Sequence, residues 1–174
     1  MERQQVKALR ISMVVRTSKI VLVLAISFFC LLTALGNILD YRVNLTSVIR
    51  ALEMKEIMHD SSISYRAITS PDLQFASFVV IVFFETLTGL LCALGAWKLF
   101  KARKKTTEIF NQSKNWAVTG LTTGFLTWNV LFMSVGGEWF GMWMSPALNG
   151  AIEAAFQIFI TILVVLIYLV QKDE

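Results

Sequence analysis

Four runs of roughly twenty mostly apolar residues, at residues 20–39, 75–97, 116–135 and 151–170, occupy about half of this chain. A helix of that length, at about 1.5 Å per residue, matches the hydrocarbon core of a bilayer, which is about 30 Å thick. Lipid offers the backbone no hydrogen bonds, so a spanning segment must satisfy its own N–H and C=O groups, and an α-helix does so within one segment. The expected fold class is therefore an all-α membrane protein. It is a four transmembrane helix bundle with a longer first outer loop, forming a single integral membrane domain over residues 1–174. Hydrophobic residues make up 56% and charged residues 16% of the chain, outside the range of ordinary soluble domains.

The charges set an orientation. Arg3, Lys7, Arg10, Arg16 and Lys19 precede the first span, and Lys98, Lys101, Arg103, Lys104, Lys105 and Lys114 lie around the 98–115 connection. Both segments are expected to be cytoplasmic by the positive-inside rule, which leaves both termini inside. The net charge of +4 is thus assigned to topology, and no nucleic-acid partner is expected. A basic start followed by an apolar run also describes a signal peptide, but the run here exceeds a typical h-region, so an uncleaved helix is expected. Trp97, Trp116 and Tyr168 mark the inner boundary, while Tyr41, Trp139 and Trp143 mark the outer one. Trp128 sits deeper and reads as packing.

The outer loop, residues 40–72, is long enough to carry structure of its own. Leu45, Val48, Ile49 and Leu52 recur at i, i+3, i+4 and i+7, the pattern of a short amphipathic helix that lies on the membrane or caps the bundle. Ser70-Pro71-Asp72 reads as the start of the second spanning helix. Gly136-Gly137 would permit a tight turn after the third span, and Asn149 would cap the fourth.

Polar residues inside the apolar runs are the functional leads, because a carboxylate at bilayer depth costs a few kcal/mol unless it is paired, neutralised or in a cavity. Glu85 falls roughly 15 Å from the outer boundary, Asn129 and Gln157 roughly 10 Å, and Asn37 and Glu153 within about 5 Å. If these face one another they line an outward-opening funnel with Glu85 deepest. Asp40, Arg66, Glu138 and Trp139 would stand at its mouth, with Arg66 a counter-charge for Glu138, Glu153 or Asp40. The funnel would bind a proton, a cation or a lipid-like headgroup. Alternatively, Glu85 bonds to Thr86, Thr88 or Asn129 and only holds helices together.

Other chemistries lack their residues. There is no phosphate-binding glycine loop, no H-E-x-x-H and no credible serine or cysteine triad, which points away from an enzyme. Cys30 and Cys92 both fall in apolar runs and read as packing residues, and the single histidine, His59, sits in a polar loop. No metal site and no cofactor is expected.

Ala34-Leu35-Gly36-Asn37-Ile38-Leu39-Asp40-Tyr41, Arg66-Ala67-Ile68-Thr69-Ser70-Pro71, Glu85, Gly95-Ala96-Trp97 and Gly136-Gly137-Glu138-Trp139-Phe140-Gly141-Met142-Trp143 form a combination of motifs within a likeness that extends over most of the chain, from about Ile20 to Leu169. This combination resembles the bacterial family of predicted small integral membrane proteins known as domain of unknown function 2165. Gly36 stands where that family often has a second asparagine. The resemblance implies a multi-pass protein of the bacterial inner membrane and brings no activity with it. The residues themselves suggest a non-enzymatic accessory or assembly subunit of a larger membrane complex. Its expected partners are membrane lipids and other membrane subunits or further copies of itself. Gly89 and Gly95, or Gly120 and Gly124, would let a partner helix approach closely. The alternative is a small transporter or lipid-like ligand-binding protein that uses Glu85.

Overall fold

The computed structural model describes residues 2–58 and 60–173, with residues 2–10 described by their backbone alone. His59 and the side chains of Arg3, Lys7 and Arg10 lie outside the described residues. All regular elements described are helical: α1 (Glu2–Leu39), α2 (Tyr41–Glu53), α3 (Pro71–Ala102), α4 (Thr107–Gln112), α5 (Asn115–Leu126) and α6 (Asn149–Val170). Four stretches are long and apolar enough to cross a membrane: Ile11–Leu39, Pro71–Ala102, Thr107–Trp139 and Asn149–Val170. The helices outrun the apolar segments that define them. The 38 residues of α1 reach about 57 Å, well beyond a hydrocarbon core of about 30 Å.

The spanning helices alternate in direction. α3 packs most extensively on α1 and α5, α6 packs on α5 and its continuation, and α6 meets α1 to close the ring. One end of the bundle therefore carries both ends of the spanning chain and the connection between α3 and α4. The other end carries α2 and the loops that follow the first and third spans. Buried apolar residues from all four spans meet along the axis, among them Val23, Leu99, Leu121, Trp128 and Ile162.

The α3–α5 seam depends on glycine. A Cβ added to Gly95 would collide with the backbone nitrogen of Ala117, and one on Gly120 would lie 2.7 Å from that of Cys92. Gly89 fits against Leu31 of α1, and Gly124 against Thr88 and Ile162. All four glycines expected to receive a partner helix are thus used inside the bundle, where small residues let backbones approach.

After Leu126 the third span continues without a break as a π-helix, Thr127–Trp139. Its wider hydrogen-bonding step shows in Phe140, whose N–H donates to Val135 O at 3.0 Å. This corrects the turn expected at Gly136-Gly137, since both glycines are buried within the helix. A Cβ on Gly136 would come 2.6 Å from Met142 Sδ, so the glycine admits the single 3₁₀ turn Met142–Met144 against the helix. The chain reverses instead at Gly141, whose φ of +65° suits glycine.

The amphipathic helix forms as its spacing predicts and caps the bundle. Leu52, Met54 and Phe140 are buried together beneath Val48, Ile57, Ile63 and Ile68. Ile68 N–H donates to Leu52 O at 2.8 Å, and Ser145 Oγ donates to Glu56 Oε2 at 2.6 Å, tying the two loops of this end together. Pro71 opens α3 with Ser70 before it, as read. Asn149 is the first residue of α6 and not its cap; its amide instead reaches forward to Glu153 at 3.0 Å.

Candidate functional site

Glu85 lies on α3 and is 1% exposed. Asn37 of α1 donates from Nδ2 to Glu85 Oε2 at 2.7 Å, so two of the residues singled out by depth meet across the α1–α3 seam. The hydroxyls of Thr86 and Thr88 do not serve Glu85. Each returns 2.8 Å to a carbonyl one turn back on α3, at Val82 and Phe84. About one turn further along the same seam, buried Ser27 donates to Gly89 O at 2.7 Å. Polar links of this kind are worth on average about 0.6 kcal/mol between membrane helices, and up to about 1.7.

The other members of the expected funnel are not drawn to Glu85. Asn129 is half-buried on the π-helical segment, with its carbonyl accepting a bond from Ser134 Oγ at 3.1 Å. Gln157 and Glu153 are exposed on α6. At the mouth, Asp40 and Glu138 are exposed, and Arg66 pairs with none of the acids proposed for it. Its guanidinium lies 4.3 Å from the centre of the Trp139 ring and donates to Trp139 O at 3.2 Å. The counter-charge is replaced by a cation–π contact, which needs a ring and no acid. Among the described residues, no group of three or more His, Cys, Asp or Glu side chains is placed to hold a metal ion.

A second polar centre lies at the opposite end and was hidden among residues read as topology signals. The side chains of Lys19 of α1 and Asp173 beyond α6 are each 2% exposed and meet at 2.8 Å. Lys114, at the start of α5, contacts the same carboxylate oxygen. Both ammonium groups also donate to Gln171 O, at 2.7 and 2.8 Å. Asn111 completes the clamp by accepting from Lys114 and from the Asp173 N–H. Burial alone would raise the Asp173 carboxyl, but hydrogen bonds from Lys114 and Lys19 outweigh it and hold the group below the ordinary aspartate range. The sequence signal was slight: one acid just past a span, opposite basic residues that flank two others.

The model of a family described as "Predicted small integral membrane protein (DUF2165)" matches residues 15–172. The chain belongs to this family. In this DUF2165 protein the match takes in Asn37, Glu85, Lys19 and Lys114, and ends one residue before Asp173. No curated protein and no solved structure matches it. It is a multi-pass integral membrane protein, and its site chemistry is that of buried polar links between helices.

Proposed function

We propose that this protein is a non-enzymatic accessory or assembly subunit that docks in the membrane against another subunit through α6. One observation carries this reading. Gln157 is exposed on α6 among Phe156, Ile160 and Val164, and its side-chain amide has no hydrogen-bond partner among the described residues. Eight residues into α6, it lies about 12 Å along the helix, at bilayer depth. An amide facing hydrocarbon is unfavourable, and a polar group on a neighbouring helix would satisfy it. By contrast, Glu85 already has its partner inside the chain.

A photo-crosslinking residue at Ile160, one turn from Gln157 on α6, in gently extracted native membranes, is expected to give a discrete adduct with a membrane protein, whereas one at Val79 on α3 gives none. An adduct of twice the protomer mass would identify self-association. Lipid adducts alone at both positions would refute the reading. Gln157→Leu is expected to abolish the adduct and to leave the protomer's thermal stability unchanged or higher.

Glu85 supports a second reading, a small transporter or lipid-like ligand-binding protein, because its buried carboxyl is paired with a neutral amide and no cation among the described residues. That reading requires Glu85→Gln to abolish function in a folded, inserted protein. The orientation proposed for either role is both termini cytoplasmic in a bacterial inner membrane, supported by the basic residues gathered at the terminal end. A reporter inserted at Ser61 is then expected on the outside and one fused after α6 in the cytoplasm, and reversal of either would overturn it.

A further inference from the structure

The basic end holds a cleft as well as a clamp. A cavity of about 940 Å³ lies between the first turns of the spanning part of α1 and the α3–α4 connection. Arg16, Lys19, Arg103, Lys104, Lys105 and Lys172 line it, and Asp173, already neutralised by Lys19 and Lys114, is its acid. A topology signal needs only solvated charge, yet Arg16 is 6% exposed and built in. Its guanidinium donates to Arg103 O at 3.2 Å, Lys105 O at 2.8 Å and Thr107 Oγ1 at 3.0 Å, which fixes the connection that carries Lys104 and Lys105. Arg16 Nε is buried without a hydrogen-bond partner among the described residues.

The cleft continues into apolar surface. Met13 belongs both to the cavity and to a groove with Val14, Thr17 and Val21, and Val21 belongs to a second groove with Leu24, Phe28 and Leu31. From Met13 to Leu31 this track follows one helix for about 27 Å, more than the half of a roughly 30 Å hydrocarbon core that one acyl chain fills. A free anion would need the cationic cleft alone, whereas a phospholipid would use both parts.

We infer that the cleft binds the phosphate headgroup of an anionic phospholipid, with an acyl chain lying along the α1 groove. The site is separate from the α6 face and does not depend on the role proposed for it. Native mass spectrometry of the full chain released from detergent tests it, by titration with phosphatidylglycerol, phosphatidylcholine and inorganic phosphate. Phosphatidylglycerol is expected to bind at least ten-fold more tightly than either of the others. Lys104→Gln with Lys105→Gln is expected to weaken that binding about 10- to 30-fold. Lys98→Gln with Lys101→Gln, which removes two charges from α3 outside the cleft, is expected to change it less than two-fold. Equal weakening by both pairs, or equal binding of phosphatidylcholine, would reduce the cleft to general surface charge and overturn the proposal. Binding of inorganic phosphate as tight as that of phosphatidylglycerol would make it a free-anion site and overturn the lipid assignment.

Discussion

Glu85 and Asn37 show how a single interhelical bond can settle a residue that costs so much to bury. The carboxyl is turned to the α1–α3 seam, and the amide that meets it comes from the last turn of α1. Removing the amide with Asn37→Ala leaves the carboxyl without its partner and is expected to cost about 1–2 kcal/mol in reversible unfolding in detergent. Glu85→Gln preserves an acceptor for Asn37, so its cost is expected to stay below about 1 kcal/mol. In a double-mutant cycle the two positions are expected to couple, and full additivity would show that the bond contributes nothing. Arg66 is a parallel case at the surface: its charge is met by the face of Trp139 and not by an acid.

Elements show what sequence can and cannot specify in a bilayer. Depth along a helix axis is additive, so counting alone gives Glu85, Asn129 and Gln157 an expected rank below the surface. Azimuth was not readable this way. In a soluble helix the apolar stripe marks the inward face, but a helix apolar all round carries no such mark. Hence nothing in the sequence showed that Gln157 faces outward while Glu85 faces inward. For the same reason the glycine spacing at Gly120 and Gly124 did not reveal whether the approaching helix belongs to this chain or another. The π-helical step after Leu126 was equally silent, since it changes hydrogen-bond register without changing composition. What could be read had local chemistry: the start of α3 at Ser70-Pro71 and the amphipathic spacing of α2. The α3–α5 seam gives the sharpest contrast for a test. Gly95→Ala forces a methyl against the Ala117 backbone and is expected to destabilise by about 1–3 kcal/mol. At Gly36, in the helical run of α1, an added Cβ meets nothing within 4 Å. Gly36→Ala is expected to stabilise by about 0.5–1 kcal/mol through backbone entropy. Thermal unfolding followed by circular dichroism would read both signs.

For the molecule as a whole, the ends of the bundle are built differently. The loop end is held by a small apolar cluster under α2, and the terminal end by the charges of Lys19, Lys114 and Asp173. Because the folded carboxyl of Asp173 titrates below its unfolded value, its contribution is complete above the ordinary aspartate pKa of about 3.9 and is lost as pH falls through the folded value. Thermal stability is thus expected to be insensitive to this group from pH 5 to 7, on the neutral side of about 3.9, and to decline in stronger acid. Asp173→Asn leaves two buried ammonium groups without a counter-charge and is expected to cost on the order of 3 kcal/mol at neutral pH. Replacing Lys19, Lys114 and Asp173 together by apolar residues of similar size is expected to recover most of that loss. Failure of the triple variant to recover would mean that the clamp provides something other than charge balance.

The clamp also imposes an order in time. It joins a residue near the start of the first span to one beyond the last, with a third from the start of α5 between them. While the chain is being threaded into the membrane, Lys19 and Lys114 must wait, charged and uncompensated, until α6 has crossed and delivered Asp173. A protomer arrested with three helices inserted therefore displays a pair of unneutralised ammonium groups that a finished one conceals. Completion of the bundle is thus marked by a change of charge at one end.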